Sequence, residues 1–148
     1  MRYLKTYEGL LDFFKRKPKK VEVDDTDFFK SHKEDIKDCF IEISQDKNLN
    51  IYAYVYSDHI LLTMKSKDNS FIELDSDMIE SFEFANSYLL DLGLKIERYI
   101  LYIYGDYDDI KWLGDIYFDE INELRYQLDW YKESSKNIED ISLIIKRV

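Results

Sequence analysis

The sequence predicts an α+β domain in which helices cover an antiparallel sheet. Three runs, Cys39–Gln45, Leu49–Tyr56 and His59–Lys65, alternate apolar and polar or aromatic residues between short turn-forming stretches, as half-buried strands do. Apolar residues then recur at helical spacing near 77–92, and a β-rich run returns at Ile96–Tyr104. We therefore expect a mostly antiparallel sheet of five to six strands, a β-meander followed by a helix and a strand, with three to four helices.

Composition sets the class of protein. A chain of 148 residues with 45% apolar residues fits one domain with a substantial core. Its single cysteine excludes an internal disulfide and favours a reducing compartment. We expect no cleaved secretory leader and no membrane span, because no uninterrupted apolar run approaches the roughly 20 residues that a span needs.

Charge divides the chain into two parts. Residues 1–20 hold seven cations and two acids, a balance of +5, whereas the other 128 residues hold 14 cations and 29 acids, a balance of −15. The acidic part should repel nucleic acid and anionic membranes. We expect a basic amphipathic helix at 1–20, a linker at 21–26 and one acidic domain at 27–148.

The first helix is predicted over 3–16. Its apolar stripe stops before Pro18, which disfavours a helical residue in front of it. Such a helix docks on the body, binds a partner, lies on a membrane surface or serves as a basic arm for nucleic acid. The stripe residues are our first binding candidates: Leu4, Tyr7, Leu11 and Phe14.

The opening residues also carry a resemblance. Met1-Arg2-Tyr3-Leu4-Lys5-Thr6-Tyr7-Glu8-Gly9-Leu10 resembles the start of small tailed-phage proteins, and is similar to the capsid-targeting segment of internal head proteins in T-even-like phages. The resemblance implies a phage protein of the host cytoplasm, or one packaged in the virion. Those segments are cut after Ile/Leu-x-Glu. Here that triplet occurs at Ile121-Asn122-Glu123, so we expect no removal of the N-terminus by that route.

The remaining elements follow in order. A short helix is predicted at 27–37, ahead of the meander, and an edge strand at Phe71–Leu74. The helix near 77–92 should be capped by Asp77, with Glu80 completing a capping box, and should stop at Gly93.

The C-terminal third is less regular. We place Ile96–Tyr104 centrally in the sheet, because it is apolar on both faces. Residues 116–133 fit a helical stripe and also a strand alternation. We choose helix, because acids come early and cations late. A loop at 134–140 and a strand at 141–145 complete the chain. The predicted core includes Ile43, Val55, Leu62, Phe82, Leu89 and Leu101.

We expect no catalytic residues, no metal and no cofactor. Ser57, Asp58 and His59 are adjacent in sequence and cannot converge on one line of proton transfer, so a polar turn is the simpler interpretation. Cys39 lies in an apolar alternation, which indicates a buried, inert thiol unless the fold brings His32 or His59 to it.

Two further groups are candidates for binding. The tyrosine row Tyr52, Tyr54 and Tyr56 is interpreted as a sheet face open to protein contact, since a base-stacking platform needs basic surroundings. The acids Asp106, Asp108 and Asp109 follow a predicted strand. A calcium-loop pattern fails there, because Ile110 replaces an oxygen ligand, so a solvated turn is favoured.

The function that these patterns favour is non-enzymatic protein binding by a phage accessory protein, for instance inhibition of a host factor or defence protein. The alternatives are a virion or head-associated component and, third, an acidic mimic of nucleic acid. Candidates for the mimic are Asp24, Asp25, Asp27, Glu73, Asp75, Asp77, Asp106, Asp108 and Asp109. The sequence leaves the partner and the oligomeric state open.

Overall fold

The computed structural model describes residues 24–107, 110–126 and 137–148, with 104–118 and 137 described by their backbone alone. The predicted N-terminal helix, with Leu4, Tyr7, Leu11 and Phe14, lies outside these residues. The elements are helices α1 (Thr26–Asp38), α2 (Ile41–Asp46) and α3 (Ser76–Asp91), and strands β1 (Leu49–Val55), β2 (Ile60–Ser66), β3 (Leu94–Tyr107), β4 (Ile110–Phe118) and β5 (Asn137–Arg147). Residues 121–126 are also helical.

The five strands of the described residues form one antiparallel sheet in the order β1-β2-β5-β3-β4. The α+β class and the antiparallel sheet are therefore confirmed. The predicted meander is wrong, because only β1 with β2 and β3 with β4 are neighbours in both sequence and space. The C-terminal strand β5 inserts between β2 and β3 and joins the two hairpins.

The predicted strand Cys39–Gln45 is also wrong, because Ile41–Asp46 is helix α2. Phe40 and Ile43 are the buried residues here, whereas Ile41 is 48% exposed. Burial at a spacing of three fits a helical turn. In so short a run, the same apolar residues also satisfied an alternation of two.

The region 116–133 contains both a strand end and a helical segment, the two structures that its sequence pattern fitted. Residues up to Phe118 belong to β4, which pairs with β3, so helix is wrong there. Residues 121–126 are helical, and 127–133 lie outside the described residues. The predicted loop at 134–140 is wrong from Asn137 onward, since β5 begins there. Strand β5 pairs on both sides, which extends it beyond the predicted 141–145.

The core lies between one face of the sheet and the helices. Ile43, Leu62, Phe82, Leu89 and Leu101 are buried, as predicted. Val55 is only half-buried, because among the described strands β1 lies at the edge and pairs on one side only.

Helix α3 is fixed at both ends. The Asp75 side chain accepts a hydrogen bond from the Met78 backbone N–H at 2.9 Å, so Asp75 is the N-cap and the prediction of Asp77 is wrong. Gly93 has φ +77°, the left-handed conformation expected of a residue that ends a helix. Before α3, the predicted strand Phe71–Leu74 is reduced to a single bridge between Ile72 and Ile138.

Candidate binding groove

A groove of 640 Å³ lies between the outer face of α3 and the segment that joins α1 to α2. Helix α3 and the residue that ends it, Leu92, form one wall with the face that points away from the core. The residues of this face, Ser81, Phe84, Tyr88 and Leu92, follow one another at spacings of three and four. The other residues that line it are Asp35, Asp38, Cys39, Ile41, Glu42, Ile43, Ala85 and Asp91.

The walls of the groove are apolar side chains that the described part of the chain leaves exposed. Phe84 is 69% exposed, Tyr88 62% and Ile41 48%. Beneath them, Ile43 and Ala85 are buried in the core. Large apolar side chains clustered in one concave place mark an interaction surface more often than isolated ones do.

The rim of the groove is acidic. Asp35, Asp38, Glu42 and Asp91 are all exposed, and no Lys or Arg is among the described residues that line the groove. Four carboxylates around an apolar floor create a negative potential, which favours positively charged groups.

Two polar groups inside the groove are already satisfied. The Ser81 hydroxyl donates to the Asp77 carbonyl at 2.9 Å, and the Cys39 thiol donates to the Asp35 carbonyl at 3.3 Å. Partial burial, with the neighbouring Asp35 and Asp38 carboxylates, raises the pKa of the Cys39 thiol. The thiol therefore stays protonated at neutral pH and is a weak nucleophile.

One ion pair joins the two helical walls. The Lys47 ammonium, which follows α2, contacts the Asp75 carboxylate that caps α3. Partial burial disfavours the charged carboxylate. The hydrogen bonds from Lys47 and from the Met78 N–H outweigh this cost, and the pKa of Asp75 lies below its ordinary value.

The predicted tyrosine row lies on a different surface. Tyr52, Tyr54 and Tyr56 are 42%, 50% and 48% exposed and point away from the core, on edge strand β1 and just beyond it. The Tyr56 ring stacks on His59 with centroids 4.6 Å apart. The structure therefore brings these three candidates together, but not with the groove.

The predicted acidic candidates are scattered or paired. Asp106 belongs to β3 and is described by its backbone alone, and Asp108 and Asp109 lie outside the described residues. Among the acids considered for nucleic-acid mimicry, Asp25 contacts Arg147 at 3.1 Å, and Asp75 contacts Lys47. Two of the proposed phosphate substitutes are therefore already neutralised by cations.

The nucleophilic alternatives are not assembled. His32 lies seven residues before Cys39, about 10 Å along the helix axis. His32 Nδ1 is 2.8 Å from the Phe28 carbonyl oxygen. His59 Nδ1 lies 2.7 Å from Asp58 Oδ1, and the Ser57 carbonyl accepts from the Asp25 N–H at 2.7 Å. These contacts stabilise the turn after β1.

The described residues show neither a metal-binding cluster nor a helix suited to cross a membrane. In the ranges 24–107, 110–126 and 137–148, no cluster of three or more His, Cys, Asp or Glu could hold a metal ion. Within the same ranges, no helix is both long enough and apolar enough to cross a membrane.

Sequence reasoning missed the groove, although one signal was present. Helix α3 carries the apolar residues Phe84 and Tyr88 on its outer face, in addition to the stripe that faces the core. A helix with two apolar faces needs cover on both. Ile41 was not expected to line a groove with α3, because the sequence pattern predicted a strand at Cys39–Gln45.

Comparison with known proteins found no match to this chain among protein-family models, curated proteins or solved structures.

Proposed function

We propose that this chain is a non-enzymatic binding protein whose groove receives a basic amphipathic helix of a protein partner. The observation that carries the proposal is the acidic rim around three exposed apolar side chains, Ile41, Phe84 and Tyr88. Helix-in-groove recognition uses this arrangement, with apolar anchors in the groove and complementary charges at its edges.

A protein helix fits this groove better than a small ligand does. A volume of 640 Å³ would suit a small molecule. However, small-molecule sites enclose most of their ligand, whereas Phe84 and Tyr88 remain more than half exposed here. Aromatic side chains that project from a shallow groove are typical anchors of protein interfaces.

The rim determines the sign of the partner's charge. Each exposed carboxylate contributes at most about 1 kcal/mol to a salt bridge, so the rim acts mainly on the association rate and on partner choice. Affinity must come from the apolar anchors. Binding should therefore weaken as salt is raised, but should not disappear.

The biological setting of the proposal comes from the N-terminal resemblance. In a phage setting the partner is a host or phage protein, and the chain acts in the host cytoplasm or is packaged in the virion. Its own residues 1–20 have the chemistry that the groove selects, with a balance of +5 and an apolar stripe. A peptide with this sequence is therefore a convenient probe of the groove. The same residues in the intact chain are also a candidate occupant that would compete with an external partner.

The experiment measures the affinity of a fluorescent peptide with the sequence of residues 1–20 for the full-length chain. We expect Phe84→Ala to weaken binding at least about tenfold, because truncation of a central aromatic anchor costs about 1.4 kcal/mol or more. The matched control is Tyr126→Ala, which removes an aromatic ring that is 86% exposed and lies outside the groove. It should bind like the wild type.

The rim is tested by neutralising two of its acids. The double variant Asp38→Asn with Glu42→Gln should bind more weakly and lose part of the salt dependence. The control is Glu73→Gln with Glu139→Gln, which removes the same charge from exposed positions elsewhere. Equal losses in the two double variants would mean that net charge, rather than the groove, attracts the peptide.

Deletion of residues 1–20 distinguishes an external partner from the chain's own N-terminal segment as the occupant of the groove. If the groove serves an external partner, the linker must keep the chain's own segment out of it, so the deletion should leave both the melting temperature and the peptide affinity nearly unchanged. If the chain's own segment fills the groove, the deletion should lower the melting temperature by several degrees and tighten peptide binding. That second result, or no peptide binding to either form, would overturn the proposal.

A further inference from the structure

The outer edge of β1 presents backbone groups that no described strand pairs with. Strand β1 ends the sheet and has β2 as its only neighbour within the described residues. The Asn48 carbonyl accepts from the Lys67 N–H at 3.0 Å, and the Tyr56 N–H donates to the His59 carbonyl at 2.9 Å. Since backbone groups alternate sides along an antiparallel ladder, even-numbered residues bond to β2. The N–H and C=O groups of Leu49, Ile51, Ala53 and Val55 therefore point outward.

Within the part of the chain that the structure describes, this edge lacks the usual protection against strand pairing. Strand β1 reads Leu-Asn-Ile-Tyr-Ala-Tyr-Val, without charge, proline or glycine. It pairs with β2 over seven consecutive residues without a bulge. Edge strands of monomeric proteins are normally blunted by lysine, proline or a bulge. An uncharged and regular edge is instead suited to pairing with another strand.

We propose that β1 pairs antiparallel with β1 of a second copy of this chain, across a two-fold axis at Tyr52. In this register Leu49 lies opposite Val55 of the second copy, and Ile51 lies opposite its Ala53. All four residues have outward backbone groups, so the pairing forms about eight hydrogen bonds and joins two sheets into one. Tyr52 lies opposite its own copy at a non-hydrogen-bonded position.

A second copy suits this edge because both of its faces are self-complementary. On the outer face, Tyr52 packs against Tyr52 of the second copy, and aromatic pairs of this kind stabilise cross-strand contacts. On the inner face, Ile51, Ala53 and Val55, which are only half-buried in one chain, gain cover. The seven-residue strand places no charge in the contact.

The net charge of −10 opposes association of two copies. Because salt screens this repulsion, the dimer should strengthen as ionic strength rises. This is the opposite of the salt dependence expected for the groove and its cationic partner, so the two proposals can fail independently.

Disulfide trapping tests the register in the full-length chain. With Cys39→Ser as background, Tyr52→Cys should give a covalent dimer under mild oxidation, because non-hydrogen-bonded partners have Cα atoms about 4.5 Å apart, within disulfide range. The matched control is Tyr54→Cys, similarly exposed on the same strand. In this register residue 54 lies about 14 Å from residue 54 of the second copy, so this variant should form little covalent dimer.

The unmodified chain provides a second measurement that does not depend on the variants folding. Sedimentation equilibrium should show a mass moving towards twice 18.0 kDa as concentration and salt are raised. A single 18.0 kDa species up to about 100 μM in high salt would overturn the proposal. Equal trapping of the Tyr52→Cys and Tyr54→Cys variants would overturn the register.

Discussion

Asp75 is the residue on which both walls of the groove depend. It caps α3 through the Met78 N–H and binds the Lys47 ammonium that follows α2. A cap of this kind contributes about 1 kcal/mol, and the ion pair adds a tie between two elements that are distant in sequence. This carboxylate therefore adds to the core packing that holds α2 against α3.

We predict that Asp75→Asn lowers the free energy of unfolding by about 1 kcal/mol at pH 7, because asparagine can still accept the Met78 N–H but loses the ion pair with Lys47. Because the folded pKa of Asp75 lies below its ordinary value of 3.8, the stability from its charge is present above that value. It is lost as pH falls through the folded pKa. Denaturant melts of variant and wild type should therefore converge as the pH is lowered below about 4.

The matched control for this prediction is Asp77→Asn. Asp77 is exposed in the same first turn but is not the residue that caps Met78. It should lose only a few tenths of a kcal/mol, mainly through the helix dipole. Similar losses at both positions would show that general charge near the helix start, rather than the ion pair with Lys47, stabilises α3.

At the scale of elements, α3 shows what local sequence can and cannot predict. The inner stripe with Phe82 and Leu89, and the stop at Gly93, were readable because helix periodicity and glycine at the end are local signals. The cap was misassigned by two residues, since Asp75 and Asp77 carry the same chemistry. The element that faces the outer side of α3 could not be predicted, because the sequence pattern of α2 indicated a strand.

The two faces of α3 predict opposite responses to the same substitution. Phe82→Ala should cost about 3–5 kcal/mol, because Phe82 is fully buried between helix and sheet. Phe84→Ala should cost less than about 0.5 kcal/mol, because Phe84 is 69% exposed. Urea denaturation of both variants measures the difference. Comparable losses would mean that the groove is a closed part of the core.

At the scale of the whole molecule, the α+β fold class could be predicted from the sequence, but the order of the strands in the sheet could not. Alternation and composition predict an antiparallel sheet with helices, but they do not say which strands are neighbours. The insertion of β5 between β2 and β3 depends on pairing between residues about 80 apart, such as Thr63 and Ser142. Their hydroxyl oxygens are 2.9 Å apart. The groove depends on the same long-range assembly, so only its separate residues were visible beforehand.

The charge division of the chain also belongs to this scale. The balance of −15 outside residues 1–20 was readable from sequence, but its concentration of four exposed carboxylates around an apolar groove was not. That coincidence supports the proposed binding function over an acidic surface that serves solubility alone.

The most direct test of the proposed function is to map where a basic amphipathic helix binds. Backbone amide resonances of the isotope-labelled full-length chain are followed as the residue 1–20 peptide is added. We predict that the largest shifts fall at 35–43 and 81–92, the two walls of the groove, and that Phe84→Ala removes them. Shifts confined to β1 and its tyrosines, or no shifts at all, would contradict the proposal.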